Sequence, residues 1–238
     1  MLLIILIIAS NIFTQALAKS SDKSIKVMSL NIYGWKTMPK HSVDYAQLIK
    51  SHKIDVLGIQ EGVDDWQLKV IDLKNGLPTN YKRASSLKTS LGECWQHQFQ
   101  IFINFCQGNR FVETGRFDLT DGPNATRTGE YAVIEKNNSR FLFVNVHWDH
   151  ESASTKIANA EETGSLLNKF NQYPKILLGD FNSHCDSSVV SVMQSKAEMI
   201  LLKSAGIDCL FVNGITGNAE QIKAPPSDHP AIIATLLL

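Results

Sequence analysis

The chain has no excess of charge of either sign. Its 23 Lys and Arg residues balance 23 Asp and Glu residues. That balance argues against broad electrostatic capture of a polyanion, although it leaves room for a local basic patch. After the first residues, no apolar run approaches the length of a membrane span. There is no internal repeat, no low-complexity tract and no Pro- or Gly-rich linker, so nothing divides the chain into separate units. Cysteine is scarce, with only Cys94, Cys106, Cys185 and Cys209.

What is present begins with residues 1–18, which read as a secretory signal peptide. Residues 1–8 are almost pure Leu and Ile, polar residues follow, and Ala16-Leu17-Ala18 is a small-x-small cleavage signal. Retention as a membrane tether is the alternative, but the apolar core is short for a span. Residues 19–238 then form one domain, large enough for a sizeable α/β core. Export suits an even number of cysteines. The expected disulfides are Cys94–Cys106 and Cys185–Cys209, against an alternative of four buried thiols. Asn124-Ala-Thr and Asn137-Asn-Ser are glycosylation sequons of the kind an exported chain can use.

Hydrophobic patterning predicts strands over 24–31, 54–60, 98–105, 116–119, 130–135, 140–146, 175–178, 207–212 and 231–238. It predicts helices over 42–52, 64–75, 154–170 and 189–202, with Ser42 as N-cap of the first. Residues 136–139 make the turn of a hairpin. Residues 119–129, rich in Asp, Gly, Pro, Asn and Thr, read as a surface loop. The order strand–helix–strand–helix–strand pair, then hairpin–helix–strand–helix–strand–strand, suggests two stacked mixed sheets with helices outside.

The functional signal sits where these runs end. They finish at Asn31, Glu61, Asn145 and His147, Asp180 and Asn182, Asp208, and beside Asp228 and His229. Carboxylates at strand edges hold hard divalent cations through oxygen. Amides contact a phosphate oxygen without repelling it, and histidines exchange protons near neutral pH. Phosphoester hydrolysis needs that set: a base for water, positive charge for the phosphoryl oxygens, and help for the leaving oxygen. The bland readings are a turn at Asp180–Asn182 and a buried structural pair at Asp208. Trp35 is read either as a stacking platform or as core. Arg110, Arg116 and Arg127 read as scattered cations, with the lining of a substrate face as the alternative.

Six sequence words carry a resemblance: Met28-Ser-Leu-Asn31, Ile59-Gln-Glu61, Val144-Asn-Val-His147-Trp-Asp-His150, Leu178-Gly-Asp180-Phe-Asn182, Gly206-Ile-Asp208 and Ser227-Asp-His229-Pro230. Together they resemble the endonuclease/exonuclease/phosphatase superfamily, the deoxyribonuclease I-like fold. The resemblance implies a four-layer α/β sandwich: two mixed sheets packed face to face with helices outside. It implies a catalytic set of His229, Asp208, His147, Asp180 and Asn182, with His229 as general base oriented by Asp208. Asn182, Asn145 and His147 would contact the substrate phosphate. Glu61, Asn31 and Asp228 would hold Mg²⁺, with Mn²⁺ as substitute. Base and acid roles stay interchangeable between His229 and His147 at this level.

Two departures from the family pattern stand out: Val146 where a Thr is usual, and His97 or Glu93 where a carboxylate usually holds the first histidine. The expected protein is a secreted, monomeric phosphodiesterase or nuclease that does not insert in membranes once the signal is removed. A phospholipid or sugar-phosphate hydrolase is the alternative substrate class. A catalytically weakened binding module on the same fold is the alternative of another kind.

Overall fold

Side chains alternate across a β-strand, so each strand in a stacked pair of sheets has one face inward and one outward. In β1 (Ser24–Asn31) the inward set is Ile25, Val27, Ser29 and Asn31, while Met28 and Leu30 pack outward against a helix. The computed structural model describes residues 24–38, 40–62, 81–84, 100–124 and 126–238. The expected helix over 64–75, and Glu93, Cys94 and His97, lie outside the described residues.

After β1 come the one-turn helix α1 (Gly34–Thr37), α2 (Ser42–Ser51), β2 (Val56–Gln60), β3 (Tyr81–Arg83) and β4 (Gln100–Asn104). A long strand β5 (Asn109–Leu119) leads into the hairpin β6 (Arg127–Lys136) and β7 (Ser139–His147). Then follow α3 (Ala153–Lys169), β8 (Lys175–Asp180), α4 (Ser188–Ala197), β9 (Ile200–Ala205), β10 (Asp208–Asn213), β11 (Thr216–Ile222) and β12 (Ala231–Leu237). The first sheet has the order β11-β12-β1-β2-β4-β3 and the second β5-β6-β7-β8-β10-β9. Among the described residues only β1–β2 and β7–β8 pair in parallel, so both sheets are mixed. The α/β sandwich expected from the sequence is the fold observed.

Three apolar layers hold it together. Ile25, Val27, Val56, Phe141, Phe143, Ile176, Leu178, Leu210 and Ile232 fill the space between the sheets. Met28, Leu30, Leu57 and Ile59 face Tyr45 and Ile49 of α2. Val144, Val146, Leu177 and Phe211 face Leu167 of α3 with Val190 and Met193 of α4. Each large apolar side chain so buried contributes about 1.5–3 kcal/mol. Among the described residues no helix is long and apolar enough to cross a membrane.

Several local expectations change. His41, not Ser42, occupies the N-cap of α2, and Ser42 is its first helical residue. The expected helix over 189–202 stops at Ala197, because Glu198 turns into the left-handed region (φ 52). The apolar run after it becomes strand β9, paired with β10. Arg127–Gly129, assigned to a loop, begin strand β6. Cys185 and Cys209 form the expected disulfide. Cys106 is exposed and pairs with no cysteine among the described residues; its expected partner, Cys94, lies outside them.

Candidate active site

The inward stripe of each central strand turns polar at one end of the sandwich. Parallel pairing brings the ends of β1 and β2 together, and likewise those of β7 and β8. Antiparallel β10 and β12 deliver their first residues to the same edge. Thus Asn31, Glu61, His147, Asp180, Asp208 and His229 converge although they are distant in sequence. Gly179 makes part of this approach feasible. It lies at φ 145, and a Cβ there would stand 2.0 Å from the carbonyl oxygen of Val146.

Asp180 is the hub. Its Oδ2 accepts a hydrogen bond from Asn31 Nδ2 at 3.1 Å, and lies 3.5 Å from Nε2 of His147 and 3.8 Å from Nε2 of His229. Its Oδ1 accepts the backbone N–H of Asn182 at 2.8 Å. Asn31 Nδ2 also donates to Oε1 of Glu61 at 3.1 Å. The hydroxyl of Ser227 donates to Asn31 O at 2.6 Å and accepts the backbone N–H of His229, tying the His229 loop to β1. Nδ1 of His229 stands 2.8 Å from Oδ2 of Asp208. Glu61 (φ 56) and Asn182 (φ 45) both adopt left-handed backbone, a conformation that costs energy in residues other than glycine.

These groups perturb one another. Burial, then the charge of Asp208, pushes the Asp180 carboxyl up to about 7. Asp208 is raised too, by burial first. Burial lowers His229, but the hydrogen bond and charge of Asp208, with Asp180 and Asp228, outweigh that and carry it to about 9. His147 moves well below the usual histidine range, through burial first and then the positive charge of Arg127.

Not every expected residue joins. Asn145 is completely buried between the sheets. Its Nδ2 donates to Ile59 O and Gln100 O, and its Oδ1 accepts from Gln60 Nε2. Those bonds spend the amide on joining the sheets, so Asn145 is not placed to contact a phosphate. Asp228 is exposed and belongs to neither cluster of ligand atoms described below. Asn182 borders the site through its backbone N–H on Asp180, and its Nδ2 donates to Trp148 O at 2.9 Å. Asp149 is buried and orders the turn before α3, accepting the backbone N–H groups of Glu151 and Ser152, while Ser152 itself caps the helix. Trp35 is 65% exposed, which removes the core reading.

Arg127 is the residue the sequence reading undervalued. Its guanidinium is buried behind His147 and also touches His150. The signal for it lay in the hairpin register. Glu130 pairs with Asn145, and continuing that register three residues places Arg127 opposite Trp148, beside His147.

The donor set suits a hard cation. Ligand atoms of Glu61, His147 and Asp180 lie within 4.8 Å of one another, as do those of Asp180, Asp208 and His229. Among the described residues Oε2 of Glu61 is buried without a hydrogen-bond partner, a costly state that a divalent cation would relieve. The sequence matches the endonuclease/exonuclease/phosphatase family over residues 28–229. The chain belongs to this family.

Solved structures of the endonuclease/exonuclease/phosphatase fold agree in architecture. A mannosyl-6-phosphatase from Bacteroides thetaiotaomicron superposes with a TM-score of 0.69 at 21% identity, over 90% of this chain and 100% of that one. The human Nocturnin catalytic domain with bound sulfate gives 0.67 at 18%, over 90% and 94%. TDP2 from D. rerio, complexed with a single-strand DNA product, gives 0.69 at 13%, over 91% and 100%. Identities this low speak to the fold. No curated protein matches the sequence. Members of the family hydrolyse phosphoesters, typically with a divalent metal.

Proposed function

We propose that this protein is an exported, divalent-cation-dependent phosphodiesterase. The observation that carries the reading is the Asp208–His229 pair aimed at Asp180, beside the buried, unpartnered Oε2 of Glu61. Glu61 and Asn31 would hold the cation, with Asp228 near the opening of the site. A cation there supplies positive charge to the phosphoryl oxygens and offsets the carboxylates around His229.

The chain's own groups do the rest. Asp208 accepts the Nδ1–H of His229 and leaves Nε2 to take a proton from the attacking water. Asp180 orients that water through Oδ2. The water oxygen bonds to phosphorus as the bond to the leaving oxygen breaks. Asn182 offers its second amide hydrogen, and His147 its Nε2 edge, to the phosphoryl oxygens. Residues 1–18 direct export, and the mature chain from Lys19 acts as a monomer.

A nucleic acid is the first substrate to try. Net neutrality favours a short or single-stranded one over a long duplex. Sugar phosphates are the second reading, because the similar Bacteroides protein is described as a mannosyl-6-phosphatase. The test is a panel of plasmid DNA, RNA, bis-p-nitrophenyl phosphate, mannose 6-phosphate and sphingomyelin, each with Mg²⁺ and with EDTA. Cleavage of diesters alone supports the proposal. Turnover of mannose 6-phosphate alone replaces it with the second reading.

A further inference from the structure

Nη1 of Arg127 lies 3.3 Å from Nδ1 of His147, and Nη2 lies 3.0 Å from Nδ1 of His150. A guanidinium only donates hydrogen bonds. Nδ1 of His147 is therefore an acceptor in this contact, and the ring proton belongs on Nε2, the atom that faces Asp180. We propose that Arg127 is a positioning residue that fixes His147 as the Nε2–H tautomer, so that His147 presents a hydrogen-bond donor to the phosphoryl oxygen.

The two active-site histidines are thereby made different by their partners. His229 has a carboxylate on Nδ1, and a carboxylate only accepts. His147 has a guanidinium on the equivalent atom. When neutral, His229 carries its proton on Nδ1 and offers a lone pair at Nε2. His147 does the reverse. One ring is built to take a proton and the other to hold an oxygen. That asymmetry separates roles which the sequence left interchangeable.

Arg127 is itself held in place. Its backbone N–H donates to Oδ1 of Asp121 at 2.8 Å. The loop before it packs so closely that a Cβ on Gly122 would stand 1.9 Å from Asp149 Oδ1. Burial lowers the pKa of Arg127, and the carboxylates of Asp149, Asp180, Glu61 and Glu151 offset part of that. Among the described residues the buried Nε has no hydrogen-bond partner, and the two histidine contacts orient the guanidinium.

The phosphoryl contact rests on the hydrolytic reading, whereas the tautomer stands without it. The experiment is long-range ¹H–¹⁵N correlation on full-length mature protein with ¹⁵N-labelled histidine, metal-free and with Mg²⁺. His147→Gln assigns the resonance. The expected result is a single Nε2–H tautomer in the wild type that is lost in Arg127→Met and retained at least partly in Arg127→Lys. With an active enzyme, kcat of Arg127→Met falls roughly 10- to 100-fold while KM changes little. An Nδ1–H signature in the wild type overturns the proposal, as does an unchanged signature in a folded Arg127→Met protein. If Arg127→Met fails to fold, the wild-type signature decides alone. A protein that cleaves no phosphoester but shows the Nε2–H tautomer refutes the functional reading and keeps this one.

Discussion

Asp180 and Asp208 stand directly opposite each other on β8 and β10, and a single imidazole, His229, reaches both. Both carboxylates bind protons more tightly than usual, through burial first, and the charge of Asp208 adds to the rise at Asp180. The repulsion is tolerable if positive charge is shared between them. His229 supplies part of it, and the Glu61 side of the site is arranged to hold the rest.

Asp208 fixes the tautomer and direction of His229. Asp208→Asn keeps the shape but can present an N–H to Nδ1, which favours the wrong tautomer. We expect kcat to fall on the order of 10³-fold with KM little changed. Steady-state kinetics beside a circular dichroism spectrum checks this. A near-normal kcat in a folded variant would remove Asp208 from the mechanism.

His229 also links stability to pH. Its folded pKa, about 9, lies above the ordinary value of 6.5. The folded state therefore holds the proton more tightly. The associated stability is complete below about 6.5 and is lost as pH rises through about 9. Asp180, raised to about 7, adds a loss of the same sign that is largely over by neutral pH. We expect metal-free protein to lose about 2 kcal/mol between pH 7 and 9. The Asp208→Asn protein should show a flatter profile. Urea melts across that range measure it, and a flat wild-type profile contradicts it.

Glu61 carries the unpartnered oxygen. At Mg²⁺ a hundredfold above its dissociation constant, binding should stabilise the wild type by about 2.7 kcal/mol. Glu61→Gln should abolish most of that shift and the activity together, and EDTA should remove both from the wild type. Thermal melts with and without Mg²⁺ test it. Equal shifts in the variant would place the cation elsewhere.

Asn145 is a strut between the sheets. Asn145→Leu removes the side-chain donor to Ile59 O and Gln100 O and leaves Gln60 Nε2 with Ser29 Oγ alone, and should cost about 1–3 kcal/mol. Material that still folds should keep a kcat within a few-fold of the wild type. A large kcat loss with unchanged stability would return Asn145 to the substrate.

Much of this was legible in the sequence, for a physical reason. Period-two burial makes a central strand read as an apolar run, and the first polar inward position after it marks the site edge. Asn31, His147, Asp180 and Asp208 were all found that way. The same rule misjudged Asn145, because one inward position below the edge is already sealed by Gln60 and Ile59. β9 was mistaken for helix because no Gly or Pro separates the amphipathic segment from the apolar Met199–Leu202, and only the left-handed turn at Glu198 divides them. β11 and β3 were missed for the opposite reason. They are edge strands, one largely polar and one three residues long, with no apolar face to show. Arg127 was hidden because turn-forming residues precede it, although the hairpin register pointed to it. Asp228, next to His229 in sequence, points to solvent where its neighbour points in.

The most direct test of the account is hydrolysis of bis-p-nitrophenyl phosphate by the mature chain, disulfide intact, in Mg²⁺, in EDTA and as His229→Ala. The account expects turnover in Mg²⁺ that vanishes in EDTA and falls at least about 10²-fold in the variant. Turnover that survives the loss of His229, or that needs no divalent cation, would contradict it.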